Sequence, residues 1–328
     1  MRITILAGGV GGARFTSAVR EHLRDLEAAG GEASEITVVA NTGDDMWLAG
    51  LKVCPDLDSL TYSLGGVNDT ERGWGRAGET ERVSAELAAF GVGWPWFTLG
   101  DLDIGTHLAR TSMLRDGLTL SEATARITAR WPLGVRLLPM SDDDVETHVE
   151  VDLPGEGVGE IHFEEWWVRL RASAPARRFV QTNVAAARPA PGVLDAIADT
   201  DAVLIAPSNP VVSIGTILGI PGIADAVRRT SAPVVGVSPI IGGRVVRGMA
   251  DACLAAIGVD TSAEAVGRHY GSRSAGGLLD AWLVGEEDAA SVPALSATGL
   301  RVHSVPLWLR DRPTSVRLAA DTLAAARA

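Results

Sequence analysis

The sequence predicts an α/β protein: a mainly parallel sheet flanked by helices, with an inserted helical region and an antiparallel β-hairpin. Three observations predict it. The chain opens in the order strand, glycine turn, helix, strand, which is how a parallel sheet begins. Short apolar runs of the kind buried on both faces return at Ala202–Ala206 and Pro233–Val237. Between these parts the hydrophobic period changes to two, with Val145, Thr147, Val149 and Val151 alternating with polar neighbours.

Taken in order, Arg2-Ile3-Thr4-Ile5-Leu6-Ala7 reads as the first strand, and Phe15, Val19, Leu23 and Leu26 give a helix from Phe15 to Ala28. A second strand, Glu35 to Ala40, ends in Asn41-Thr42-Gly43-Asp44-Asp45. The stretch from Glu79 to Trp131 is mainly helical, with helices expected at Thr80–Phe90, Ile104–Arg115 and Leu120–Trp131. Thr119 and Glu122 fit a capping box at the start of the last of these. Ile161 to Leu170 reads as a strand after the turn Pro154-Gly155-Glu156-Gly157, closing a hairpin or small antiparallel sheet. Gly215 to Arg229 is helical with a break at Pro221-Gly222, and helices follow at Val245–Ile257 and Thr261–Tyr270. A late strand, Arg301 to Pro306, leads into a C-terminal helix from Pro313 to Ala326. The whole reads as one domain over residues 1–328, with the insertion at about 75–185.

The 328 residues, 46% of them hydrophobic, can bury a sizeable core. Twenty-nine basic residues against 41 acidic ones give a net charge of −12, which argues against broad binding to nucleic acid or an anionic membrane. Cys54 and Cys253 stand far apart and outside any CxxC spacing, so they are expected as reduced, buried thiols. There is no basic leader followed by a cleavage site, and no apolar run reaches about 18 residues, so a cytoplasmic protein without a membrane span is expected.

The sharpest motif is Ala7-Gly8-Gly9-Val10-Gly11-Gly12-Ala13-Arg14. Glycines at this density let the backbone approach an anion, and the following helix offers free N–H groups and the positive end of its dipole. It is not a dinucleotide fingerprint, because the third glycine is replaced by Arg14, and it lacks the Gly-Lys-Ser/Thr of a Walker loop. Arg14 could supply the cation that the Walker loop takes from lysine. Asp44 and Asp45, adjacent at a strand end, are oxygen donors suited to a magnesium-like ion beside phosphates, with Asp45 preferred. Adjacent acids in a turn are otherwise ordinary solvated residues.

Two later turns follow buried strands. In Ala206-Pro207-Ser208-Asn209-Pro210 the prolines fix a loop that presents hydrogen-bonding side chains. In Ser238-Pro239-Ile240-Ile241-Gly242-Gly243-Arg244 a second glycine turn carries Arg244 as a candidate phosphate clamp, with Arg247 nearby. Nine tryptophans stand against two tyrosines, and Gly73-Trp74-Gly75 with Trp94, Trp96 and Phe97 could wall a slot for a flat heterocycle. His107, near Asp101 and Asp103, reads as a structural histidine.

This ordered set resembles the 2-phospho-L-lactate transferase family of coenzyme F420 biosynthesis, in the type that uses phosphoenolpyruvate in actinobacteria. The likeness spans nearly the whole chain and rests on AGGVGGAR, NTGDD, Gly-Trp-Gly, the Leu-Gly-Asp-x-Asp-x-x-Thr-His stretch, PSNP and SPIIGGR. It implies a dimeric Rossmann-like enzyme assisted by magnesium (Mg2+). The substrates implied are an enolpyruvyl- or lactyl-diphosphoguanosine donor and the deazaflavin acceptor Fo, whose ribityl hydroxyl attacks the phosphate while GMP leaves. Under that resemblance Gly8, Gly9, Val10, Gly11 and Gly12 with Arg14 hold the diphosphate, and Asp45 with Asp44 holds the metal. Ser208, Asn209, Pro210, Gly242, Gly243 and Arg244 complete the nucleotide pocket, and Asn41, Thr42, Asp45 and Trp74 face the acceptor. Asp45 and Arg14 are the expected catalytic residues.

Two other readings stay open on the residues. One is a non-catalytic nucleotide-sugar-binding regulator of the gluconeogenesis-factor type, against which the acidic loop and the aromatic stretch argue. The other is a dehydrogenase with a variant loop, against which the missing third glycine and the late position of Asp44 and Asp45 argue.

Overall fold

The computed structural model describes residues 1–153, 155 and 157–327. Of the turn expected at 154–157, Pro154 and Glu156 therefore lie outside the described residues. Seven strands form one sheet: β1 (Arg2–Ala7), β2 (Glu35–Ala40), β3 (Arg136–Pro139), β4 (Ala202–Ile205), β5 (Val234–Val237), β6 (Ala281–Val284) and β7 (Arg301–Ser304). They lie in the order β3-β2-β1-β4-β5-β6-β7, every neighbour parallel. The chain thus winds outward from β1 in both directions, a doubly wound α/β sheet whose switch point falls between β1 and β4.

The apolar runs of these strands divide between two cores, one on each face. Ile3, Ile5 and Ala7 of β1, with Ile36, Val38 and Ala40 of β2, enter one core together with Phe15 and Val19. Leu6, Val39, Val203 and Ile205 enter the other. Burial on both faces is why these strands read as continuous hydrophobic stretches. The helix α1 (Gly9–Ala28) packs on α2 (Pro55–Gly65) and on the C-terminal helix Arg312–Arg327. Cys54 and Cys253 are free and buried, as expected.

The inserted material forms two layers. The helices α3 (Arg82–Ala89), α4 (Asp101–Arg115) and α5 (Leu120–Thr128) lie between β2 and β3, and Thr119 and Glu122 make the expected capping box. A three-stranded antiparallel sheet, Gly157–His162 beside Thr147–Leu153 beside Ala176–Gln181, lies between β3 and β4. The span 75–185 is therefore interrupted by β3, which pairs with β2 of the main sheet and buries Leu137 and Leu138.

Several local expectations are corrected. The first helix begins at Gly9, so the glycines form its opening turn rather than a loop before it. The strand expected through Leu170 stops at His162; Glu165–Arg169 is a single π-helical turn that buries Trp166, whose indole N–H donates to Ala174 O at 2.7 Å. The helix expected from Val245 starts at Ala250, because Arg244–Val245 instead pairs with Ile240–Ile241 in a tight hairpin. Among the described residues no helix is long and apolar enough to cross a membrane.

Candidate active site

A cavity of about 790 Å³ opens at the carboxyl ends of the strands and straddles the switch point. This is where open α/β sheets place ligands, and the volume lies in the upper part of the range of small-molecule sites. Its floor is the glycine turn after β1, with Pro207, Ser208 and Asn209 from the loop after β4.

The glycines are required for distinct reasons. A Cβ on Gly8 would stand 2.6 Å from Asp56 Oδ2, one on Gly11 2.9 Å from the Pro207 carbonyl, and one on Gly12 2.8 Å from Ser208 Oγ. Gly9 adopts φ +63°, a left-handed conformation that favours glycine. The turn is thus pressed against α2 and the 207–208 loop, while the N-terminus of α1 faces the cavity. Asn209 lines the cavity but its amide shapes the loop, Oδ1 accepting from Val211 N at 2.9 Å. Pro210 is buried behind it.

One wall is acidic. Asp44, Asp56 and Glu164 line the cavity and are buried, from the loop after β2, the first turn of α2, and the segment after Gly157–His162. Burial, then the charges of Asp56, Glu164 and Asp45, push the Asp44 carboxyl well above its usual range, and only the Asn41 amide opposes them. Burial and Asp56 raise Glu164 to about 8. Burial raises Asp56 to about 6 against hydrogen bonds from Asn41 and Gly9. Three buried carboxylates thus raise one another's pKa along one wall, and among the described residues Asp44 Oδ1 is without a hydrogen-bond partner.

Asp45 behaves differently. It is buried but does not line the cavity. Burial raises its carboxyl to about 7, while Lys52 pulls the other way. Lys52 is itself bonded to Asp144 at 2.5 Å. Of the two acids expected at a metal, Asp44 therefore faces the cavity and Asp45 does not, the turn after β2 sending them to different surroundings. Asn41 donates to Asp56 Oδ2 at 2.9 Å and accepts from Gly43 N at 3.0 Å, so it orients the acidic wall. Asn41 and Thr42 are buried outside the cavity lining.

A second buried cluster lines the same cavity. Asp58, Asp103 and His107 place one donor atom each within 4.8 Å of one another, a spacing that would admit a metal ion. Here, however, Asp58 is paired with Arg110 through two bonds, and Tyr62 O–H donates to Asp103 at 2.6 Å. Burial works against charge on His107, yet Asp103 and Asp58 outweigh it and hold the imidazole at about 9. Two cations thus balance two carboxylates. His107, expected as a structural residue, thus sits in a buried ion network on the cavity wall.

The opposite rim is basic and aromatic. Arg14 lines the cavity and makes no ion pair among the described residues. Arg244 does not reach it: Gly242 (φ +58°) and Gly243 (φ +69°) build the two-residue turn of the hairpin, and Gly242 N–H is taken by Asp288 Oδ2 at 2.8 Å. The hairpin delivers Val245, Val246 and Arg247 to the rim instead. Trp74 lines the cavity, 41% exposed, between two left-handed glycines, with the Arg72 guanidinium 3.7 Å over its ring. Trp96, Phe97, Trp167 and Trp308 complete the aromatic lining.

Sequence reasoning missed Asp56 and Glu164 and named Arg247 only as a neighbour of Arg244. For Asp56 a signal was present: Pro55 opens α2, acids occupy its first turn, and Gly66 closes it in a left-handed conformation. Glu164 had none, because the antiparallel sheet brings it in from more than a hundred residues away.

A glycine turn at the switch point, an uncompensated carboxylate wall and aromatic sides together define an α/β enzyme that handles phosphorylated ligands. Comparison with known proteins makes this specific. Residues 3–302 match the family model described as 2-phospho-L-lactate transferase CofD, and the chain belongs to that transferase family. It is 54% identical over 323 residues to a protein of Streptomyces griseus named phosphoenolpyruvate transferase, covering 98% of each chain. Proteins of the same name from Thermobifida fusca and Nocardia farcinica are 55% and 53% identical, over 97% and 98% of this chain and 96% and 94% of theirs. The fold is shared with a UPF0052 family protein of Bacillus halodurans, at a TM-score of 0.61 and 16% identity over 98% of this chain and 99% of that one.

Proposed function

We propose that this enzyme transfers a phosphoenolpyruvyl group from enolpyruvyl-diphosphoguanosine to the ribityl hydroxyl of the deazaflavin Fo in coenzyme F420 biosynthesis, releasing GMP. The lactyl donor is the variant substrate. The observation that carries the reading is the meeting, in one cavity, of the glycine turn with the Asp44, Asp56 and Glu164 wall. Transfer of a phosphoryl group from a diphosphate to an alcohol needs positioning and charge neutralisation more than a covalent protein group. The bond from the acceptor oxygen to phosphorus forms as the bond from phosphorus to the GMP oxygen breaks, and the hydroxyl proton leaves.

The α1 N-terminus and the Gly8–Gly12 turn receive the diphosphate, and Arg14 and Arg247 offer it cations. Asp44, Asp56 and Glu164 would hold magnesium, which supplies neutralisation of the diphosphate charge. Asp45 and Lys52 brace this wall from behind. Trp74, with one ring face covered by Arg72, has the other face for the deazaflavin, and Trp96 and Phe97 exclude water around it. The enolpyruvyl form is favoured by the names of relatives at 53–55% identity. Mass spectrometry of the products from Fo with each synthetic donor, with and without magnesium, tests the reading. Absence of any transfer with both donors would overturn it.

A further inference from the structure

Two segments from opposite sides of the molecule meet over the cavity. One is the loop after α2, whose tip is Gly73-Trp74-Gly75. Its base is anchored where the Arg76 guanidinium donates to Leu102 O at 3.2 Å and an Asn68–Arg76 bridge closes the loop. The other is the segment after the Ile240–Val245 hairpin, held where Trp167 packs on Gly248. The tips are joined by Arg247, whose guanidinium donates to the Gly73 carbonyl at 3.2 Å. Gly73 is left-handed at φ +78°, and a Cβ there would stand 2.6 Å from the same guanidinium. The fit is therefore specific to glycine.

The bond is a weak one for a charged group. It is exposed, long, and made to a neutral carbonyl. Among the described residues Arg247 has no carboxylate partner, and Arg14 lines the same cavity; burial and then the Arg14 charge push its pKa down. An anion bound between the two guanidiniums would relieve that repulsion. A diphosphate on the glycine turn would give Arg247 a paired, charge-assisted contact in place of its carbonyl bond.

We propose that Arg247 is a two-position latch: in the free protein it ties the Trp74 tip across the cavity mouth, and a nucleoside diphosphate bound at the glycine turn draws it away, freeing the tip for the flat acceptor. This rests on the functional reading above and adds to it an order of binding, anionic donor before acceptor. Arg247 is in this sense a positioning residue as well as an anion contact. The coupling is reciprocal, so each ligand tightens the other.

The test is the affinity of Fo, read from its own fluorescence, with and without GDP and magnesium, in wild type, Arg247→Met and Arg247→Lys. In the wild type GDP should tighten Fo binding about ten-fold, inside the usual range for coupled sites. Arg247→Met should bind GDP more weakly, yet bind Fo without GDP as tightly as the wild type does with it. A merely structural role would weaken both ligands. Arg247→Lys, which keeps the charge but not the paired geometry, should retain part of the coupling. Amide exchange supplies a check on the unmutated protein: GDP should speed exchange at residues 73–75. Equal coupling in wild type and Arg247→Met, or slower exchange at the tip with GDP, overturns the latch. Failure of the wild type to bind either ligand overturns the functional reading and the latch with it.

Discussion

Gly8 and Ser208, 200 residues apart in sequence, satisfy each other at two groups: Ser208 Oγ accepts from Gly8 N–H at 3.0 Å and donates to the Gly8 carbonyl at 2.7 Å. The loops after β1 and β4 are thereby stapled across the switch point, where the cavity opens. Ser208→Ala leaves both Gly8 groups buried without that partner, at a cost of about 1–3 kcal/mol. Urea denaturation should show the loss, and KM for the nucleotide donor should rise more than kcat falls. A denaturation midpoint equal to that of the wild type would contradict the staple.

Asp44 and Asp45 are chemically identical neighbours with different surroundings. Asp44→Asn removes the carboxylate that lines the cavity, and turnover in magnesium is expected to fall by about a hundred-fold or more with the fold retained. Asp45→Asn removes a partner of Lys52 instead, so it should cost stability and leave magnesium dependence close to normal. Magnesium titrations of activity, alongside circular dichroism, separate the two. The assignment fails if Asp45→Asn shifts the magnesium requirement and Asp44→Asn does not.

Trp74→Ala should weaken Fo binding by about 1–3 kcal/mol, the usual worth of one aromatic stacking contact with a heterocycle. GDP affinity should stay within about two-fold of the wild type when each is measured alone by calorimetry. Equal losses for both ligands would place Trp74 outside the acceptor side.

His107 titrates at about 9 in the fold against 6.5 for the free side chain. A raised pKa contributes stability that is whole below about 6.5 and is lost as pH climbs through 9. Thermal midpoints should therefore decline from pH 7 to pH 10. His107→Gln, which leaves Asp103 and Asp58 short of a cation, should be less stable at pH 7 by on the order of 1–3 kcal/mol and show a flatter decline. An identical slope in the variant would rule out the paired imidazolium.

Much of the fold was legible because β1, β2, β4 and β5 are buried on both faces and write their burial directly into sequence. The glycine turn was legible too, since Gly8, Gly9, Gly11 and Gly12 are dense enough to exclude an ordinary helix start. The second glycine pair misled. Gly242 and Gly243 satisfy a hairpin turn, and a hairpin and an anion cradle draw on the same left-handed freedom. The choice between Asp44 and Asp45 was invisible because it depends on how the turn after β2 aims each side chain. Glu164 enters from another sheet altogether, and single-sequence spacing holds no record of that meeting.

The central place of β1 also governs when the site can exist during folding. Ile3 pairs with Ile36 on one side and with Ala202 on the other, so the first strand synthesised waits for nearly two-thirds of the chain before its second neighbour arrives. Contacts of such sequence separation are slow to close. The glycine turn is thus synthesised long before the Ser208 loop that shares the cavity floor with it, and the cavity cannot form until that loop arrives.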